Sequence, residues 1–193
     1  MDEKINLTDV FGATITMNCQ VEDKIVLKGI YTFECFGPDG KLKWQDIAEN
    51  TVVESGKDLA LDTFLSGTAY TVTGPFMGLI SFVSFTEISS FDTMLSHAGW
   101  LEAGNANAPT YTAPRKTAVW NPAVGGTKAL SASLSFVITS LGAIKGAFMT
   151  YGTGAVNTID NTGGTLFSAG LFASGDRGVQ PGDVVNVSYS VSA

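Results

Sequence analysis

The sequence predicts an all-β protein: an antiparallel β-sandwich of the jelly-roll or Ig-like kind, with one short helix near residues 56–65. Apolar and small polar residues alternate along several stretches, as they do in strands that bury one face. The 193 residues include 22 glycines and only 15% charged residues, which is typical of short strands joined by tight turns. This length predicts a single β-sandwich domain over residues 27–193, preceded by an N-terminal arm or first strand over residues 1–26.

The N-terminal segment alternates only weakly. Its spaced apolar residues include Ile5, Leu7, Val10 and Phe11, which lie among acidic residues. Ordering an isolated arm costs about 1–2 kcal/mol of backbone entropy per residue, which so few apolar side chains cannot offset alone. We therefore predict that the arm orders on a partner surface and acts as a clasp, with these four residues as partner contacts.

A β-hairpin follows the arm. Tyr31, Phe33 and Cys35 alternate with residues of the opposite face. Pro38-Asp-Gly40 then supplies turn chemistry, because proline presets φ and glycine accepts positive φ. A second strand centred on Trp44 completes the predicted hairpin.

The helix and the remaining strands follow in order. The stretch Ser55-Gly-Lys-Asp58 resembles a capping box and predicts the start of the helix, and Ser66-Gly67 predicts its end. A loop over residues 104–114 is rich in Asn, Ala, Pro and Thr and is long enough to be an exposed surface feature. The predicted strands after the helix are residues 69–72, 77–85, 117–120, 130–138, 144–151, 165–173 and 184–191.

The charge distribution limits the classes of partner. A net charge of −7 argues against a general nucleic-acid binder, which needs a basic patch. Residues 1–102 contain 15 acids and 6 bases, whereas residues 103–193 contain 3 acids and 5 bases, a polarity that suits contacts between copies. Cys19 and Cys35 make no disulfide framework, and the apolar runs are too short to span a membrane. These features predict a soluble protein that matures in a reducing cytoplasm.

The only histidine, His97, lies close in sequence to Asp92 and Trp100. A catalytic interpretation makes His97 a general base oriented by Asp92, with Ser96 or Ser89 as the nucleophile. The sequence has no nucleophile-elbow pattern, and one histidine with two separated cysteines does not make a zinc site. We therefore predict that Asp92, His97 and Trp100 form a structural hub, that the protein is not an enzyme, and that it binds no cofactor or metal.

Two further sets of residues are predicted to be structural. Asp176 and Arg177 are expected to pair at a turn that enters a strand. Trp44, Trp100 and Trp120 each occur once in an apolar context. This placement favours packing in a core or an interface over a platform for sugars.

Several sequence strings occur in an order that resembles a known family. The two most specific are Asp92-Thr-Met-x-Ser-His-Ala-Gly-Trp100 and Ser174-Gly-Asp-Arg177. Together with the others, they resemble a widespread family of small structural proteins of tailed bacteriophages, over roughly residues 30–193. The other strings are Leu42-Lys-Trp44, Val52-Val-Glu-Ser-Gly56, Gly78-Leu-Ile80, Gly164-Thr-Leu-Phe167 and Pro181-Gly-Asp183.

The resemblance implies a virion component without catalytic residues, made in the cytoplasm of a bacterial host. We expect a head decoration or cement protein that stabilises the capsid by bridging neighbouring subunits. The expected partners are the major capsid protein or other virion proteins, with a homo-oligomer such as a trimer, and neither a membrane nor nucleic acid. The alternatives are a tail or head–tail component, or a module that binds host-surface glycans through the 104–114 loop.

Overall fold

The computed structural model describes residues 26–65, 73–83 and 87–193, together with the backbone of residues 3–8 and 14–19; the side chain of Phe64 is outside the description. Within these ranges the chain forms one helix and twelve strands. In chain order they are β1 (Glu3–Thr8), β2 (Thr14–Cys19), β3 (Lys28–Phe36), β4 (Leu42–Val52), α1 (Glu54–Leu65), β5 (Phe76–Ser81), β6 (Lys116–Thr117), β7 (Thr127–Ala129), β8 (Leu134–Val137), β9 (Gly142–Tyr151), β10 (Thr165–Phe172), β11 (Arg177–Val179) and β12 (Val184–Ser192).

Ten strands form one curled sheet in the order β6-β5-β9-β10-β4-β3-β12-β7, with β11 beside β9 and β8 beside β12. All of these strand pairs are antiparallel. The two edges of the sheet approach each other through the segment that follows β6. The Ala118 amide donates to the Pro75 carbonyl beside β5, and Trp120 forms an isolated β-bridge with Leu130, whose amide donates to the Tyr189 carbonyl of β12. The sheet is therefore barrel-like, and the predicted all-β antiparallel fold is confirmed.

The predicted β3–β4 hairpin is confirmed, and its alternation gives the correct inner face. Tyr31, Phe33 and Cys35 are fully buried, whereas Ile30 and Ile47 face outward and are exposed. The inner face of the curled sheet forms the main core. Other members of this core are Phe136, Ile138, Val185, Val187 and Tyr189.

The part of the sheet formed by β5, β9 and β10 is buried on both faces. Met77 and Leu79 of β5 point into the main core. Ile80 and Phe148 point the other way, into a second apolar cluster that also contains Trp100. A second layer made by α1 and the loop of residues 87–102 therefore covers this outer face. We call this loop, which contains the string from Asp92 to Trp100, the motif loop.

The helix begins earlier than the capping pattern predicts. It starts at Glu54, and the Ser55 hydroxyl donates to the Leu166 carbonyl. The expected cap at Ser55 is wrong because the Glu54 amide donates to the Ser90 carbonyl in the second layer, which supplies a partner at the helix start. The predicted stop after Leu65 and the predicted strand over residues 69–72 lie outside the described residues.

The N-terminal segment contains two strands. β1 and β2 pair as an antiparallel hairpin, in which Ile5 is opposite Met17 and Leu7 is opposite Ile15. Val10 and Phe11, predicted as partner contacts with Ile5 and Leu7, lie outside the described residues.

Candidate functional site

The motif loop is fixed to the sheet at its C-terminal end. The Ser81 amide donates to the Leu101 carbonyl, and the Ala103 amide donates to the Leu79 carbonyl, both at 2.9 Å. These bonds extend the edge of β5 beside Glu102, which forms an isolated bridge with Ile80. The loop is thereby held against the outer face of β5 and β9.

Trp100 contacts both Asp92 and His97. The buried indole donates from Nε1 to Asp92 Oδ2 at 2.9 Å, and the same oxygen accepts the Ser89 amide at 3.0 Å. His97 Nδ1 lies 2.8 Å from the Trp100 carbonyl oxygen. Since a carbonyl only accepts, Nδ1 carries the proton. The structure brings all three predicted hub residues together.

This geometry differs from that of a catalytic dyad. In a Ser-His-Asp arrangement, the carboxylate accepts a hydrogen bond from His Nδ1. Here His97 Nδ1 donates to a backbone carbonyl, and Asp92 Oδ2 holds the indole of Trp100. The arrangement fixes a loop conformation and a ring orientation.

A column of stacked groups runs from this loop into the protein. The His97 and Trp100 rings are stacked, with centroids 4.0 Å apart and planes inclined by 20°. Trp100 packs on Phe148 at 5.1 Å, and the Arg115 guanidinium lies 5.2 Å from the centroid of that ring. Gly78 leaves the necessary space, because a Cβ there would lie 2.5 Å from the Phe148 ring. We call these four groups, in which the His97 and Trp100 rings are stacked and the Phe148 ring is inclined by 42° to Trp100, the ring column.

Arg115 ends the ring column and is a structural centre that the sequence analysis missed. It is 1% exposed, and its Nε and Nη2 donate to the two carboxylate oxygens of Glu102 at 2.8 and 2.6 Å. Nη1 and Nη2 also donate to the carbonyls of Val156 and Asn161. A planar guanidinium can satisfy this many acceptors at once, which a lysine ammonium cannot do in the same geometry.

Glu102 is the buried partner of this ion pair. Burial raises the pKa of its carboxyl, against the opposing effect of the Arg115 hydrogen bonds and charge. Its Oε2 also accepts the amide of Asp160, a residue with φ of 64°. Three chain segments that are distant in sequence therefore meet at one carboxylate.

The predicted pairing of Asp176 with Arg177 is wrong. Arg177 Nε donates to Asp46 Oδ2 at 2.5 Å, and Asp176 lies 3.3 Å from the Lys145 ammonium. Successive residues of extended chain point to opposite sides, so these neighbours reach different partners. Arg177 instead joins β11 to β4, and its Nη2 also donates to the Ser174 hydroxyl.

The Asp46 pair predicts a specific pH dependence. Burial alone would raise the pKa of Asp46, but hydrogen bonds from the Ile47 amide, Arg177 and Ser174 lower it below its usual value. A carboxyl whose pKa is depressed in the folded state contributes stability above its unfolded pKa, and that contribution is lost as the pH falls through the folded pKa. We expect Asp46→Asn to flatten the decline in thermal stability below about pH 4. Melting curves of both proteins between pH 2 and 7 measure this, with Asp39→Asn as an exposed control, and equal acid slopes would contradict it.

The three tryptophans do not form an exposed row. Trp100 is fully buried, and Trp44 and Trp120 pack against the main core. A groove of about 550 Å³ does follow the 104–114 loop, but its aromatic residue, Tyr111, is only 4% exposed. The groove along the 104–114 loop therefore offers no flat exposed aromatic ring on which a sugar would stack.

An apolar groove of about 630 Å³ opens where several strands of the sheet end, beside α1. Among the described residues that line it, Lys128 carries a charge and is exposed. We call it the mouth groove. Its apolar lining includes Ala60, Pro75, Trp120, Tyr151, Phe167 and Val191.

The described ranges contain no cluster of three or more His, Cys, Asp or Glu side chains that could hold a metal ion. No helix in that part of the chain is long and apolar enough to cross a membrane. Comparison with protein-family models, with curated proteins and with solved structures found no match.

Proposed function

We propose that this chain is a structural component of a tailed-bacteriophage particle and that it decorates the head, bridging neighbouring subunits of the major capsid protein. The supporting observation is the position of the two most specific sequence strings behind the family resemblance. Asp92, His97 and Trp100 hold the second layer onto the sheet, and Arg177 joins β11 to β4. Both strings thus build a rigid framework, as a load-carrying particle component requires.

The motif loop also presents a contact surface. Phe91 is 73% exposed and Leu95 is 81% exposed, and Leu95 is the position that the first string leaves open. Large apolar side chains held in water on an anchored loop are typical of protein–protein contact sites. The loop therefore combines a fixed inner side with an apolar outer side, which we assign to the contact with the capsid.

Hydrolysis and glycan binding have less support than the head role. Hydrolysis would require a nucleophile within hydrogen-bond reach of His97, whereas the bond described for His97 goes to the Trp100 carbonyl, and Asp92 binds the Trp100 indole and the Ser89 backbone amide. Glycan binding through the 104–114 loop would require an exposed aromatic platform there, whereas Tyr111, the aromatic residue of that groove, is only 4% exposed. A tail or head–tail position uses the same kind of framework and differs in which particle protein is bound.

The proposal predicts binding to particles that lack the protein. We expect the purified chain to bind heads assembled from a genome with its coding sequence deleted, and to raise the temperature at which they release DNA. The double variant Phe91→Ser and Leu95→Ser should bind at least tenfold more weakly, because two large apolar contacts are removed. Occupancy is measured by quantitative gel analysis of sedimented particles.

Leu141→Ser provides a matched control, because Leu141 is 75% exposed but lies on a different turn. It should bind like the unaltered chain. Equal binding by the loop variant would remove the loop from the contact. Absence of the chain from purified wild-type particles, or binding to tails alone, would overturn the proposed head role.

A further inference from the structure

The β1–β2 hairpin is amphipathic by its register. Directly paired residues share a face of a two-stranded ribbon, and so do residues two apart along a strand. Ile5 is opposite Met17, Leu7 is opposite Ile15, and Glu3 is opposite Cys19 at the end of the ribbon, so these six positions share one face, and all of them except Glu3 are apolar. The positions on the other face are Lys4, Asn6, Thr8, Thr14, Thr16 and Asn18.

Such a ribbon needs a surface to cover its apolar face. A two-stranded hairpin is marginally stable alone in water. Burying each large aliphatic side chain contributes roughly 1.5–3 kcal/mol, so covering four such positions would change this balance. The occupant of the apolar face therefore decides whether the hairpin is formed.

The mouth groove matches this requirement in character and position. It is lined by apolar side chains of α1 and of strand ends. One lining residue, Val191, is paired with Gly29, and the next residue, Ser192, is paired with Lys28 at the start of β3. The chain thus enters the sheet beside the groove. Residues 1–25 contain five acids and two lysines, and the charged residue among the described lining of the groove is the cation Lys128.

We propose that the mouth groove of one copy receives the apolar face of the β1–β2 hairpin of a second copy, so that copies of this chain associate by hairpin exchange. The connection Gln20-Val-Glu-Asp-Lys-Ile25 contains neither Gly nor Pro, so its sequence does not favour the sharp reversal that would return the hairpin to the adjacent groove of its own chain. A connection of six residues can span at most about 20 Å, which is enough to present the hairpin to a neighbour. The inference deepens the proposed bridging function and rests on it for its biological purpose.

The test pairs two defective variants. A chain lacking residues 2–19 keeps the groove and has no hairpin, whereas Ala60→Asp keeps the hairpin and places an acid in the groove. We expect the unaltered chain to oligomerise at concentrations where each variant alone is monomeric. An equimolar mixture of the two variants should form heterodimers, each held by one hairpin and one groove. Sedimentation velocity measures the species, and circular dichroism checks that each variant is folded.

Two matched controls keep the test decisive. Leu61→Asp makes the same charge change on the next residue of α1, which is 53% exposed and lies outside the groove lining; it should associate like the unaltered chain. If Ala60→Asp fails to fold, Leu7→Asp on the apolar hairpin face replaces it, with Asn6→Asp on the polar face as its control. We expect at least a hundredfold weaker association for Leu7→Asp only.

Three results would overturn the inference: a monomeric unaltered chain, oligomers that persist without the hairpin, or a mixture that stays monomeric. Particle binding separates this failure from failure of the proposed function. If the hairpin-deleted chain still binds heads through the loop of Phe91 and Leu95, the decoration role stands. Hairpin exchange is then accepted or rejected on the sedimentation result alone.

Discussion

Replacing Arg115 by Met is expected to lower the free energy of unfolding by about 3–5 kcal/mol, because the Glu102 carboxylate would remain buried without its counter-charge. The guanidinium is 1% exposed and makes four hydrogen bonds, two of them to Glu102. For a chain of this length, about 2–4 °C of melting temperature corresponds to each kcal/mol. The melting temperature should therefore fall on the order of 10 °C, as measured by calorimetry.

Three further variants identify the cause. Arg115→Lys retains the positive charge but loses the two-pronged bond, so it should recover only part of the loss. Removing both charges with Arg115→Met and Glu102→Leu should be milder than Arg115→Met alone, since no unpaired charge stays buried. Lys41→Met breaks the exposed contact with Asp39 and should change stability by less than about 1 kcal/mol. A melting temperature of Arg115→Met equal to that of the unaltered chain would contradict the assignment.

The parts of the fold that the sequence predicted correctly are those with local signals. In the β3–β4 hairpin, alternation and the Pro38-Asp-Gly40 turn lie within a few residues of each other, and the structure buries Tyr31, Phe33 and Cys35 as expected. The contacts among Asp92, His97 and Trp100 also span few residues. Local chemistry therefore carried these predictions.

The second layer was missed because it depends on contacts between distant segments. Its signal was present: β5 and β9 read as nearly continuous apolar runs, Phe-Met-Gly-Leu-Ile and Ala-Phe-Met-Thr-Tyr, which is typical of strands buried on both faces. Arg115 and Glu102 were missed for the same reason, because their partners include residues 156–161, which are distant in sequence. Both arginines of the chain, Arg115 and Arg177, bind carboxylates. In a chain with only two arginines, each arginine is a usable signal for a bound carboxylate.

Replacing Trp100 by Ala is expected to cost about 3–5 kcal/mol, the usual range for truncating a large buried aromatic side chain. The change would open a cavity between His97 and Phe148 and would remove the indole donor to Asp92. Because the loop covers only the outer face of β5 and β9, we expect the loss to be local first. Amide exchange should increase at Ser81 and Ala103 before it increases in the β3–β12 pair, as measured by hydrogen exchange.

Two milder variants separate packing from hydrogen bonding in the same loop. Trp100→Phe keeps an aromatic ring on Phe148 but takes the indole donor from Asp92, which is 7% exposed, so it should cost about 1–3 kcal/mol. His97→Gln gives up the ring stacking, worth about 0.5–1.5 kcal/mol, and retains an amide that can donate to the Trp100 carbonyl. The expected loss of stability is therefore largest for Trp100→Ala, smaller for Trp100→Phe and smallest for His97→Gln. This order follows because the indole both packs in the second layer and donates a hydrogen bond to Asp92. If His97→Gln instead folded and melted unchanged while abolishing a measurable hydrolytic activity, His97 would be catalytic and the structural assignment of this loop would be wrong.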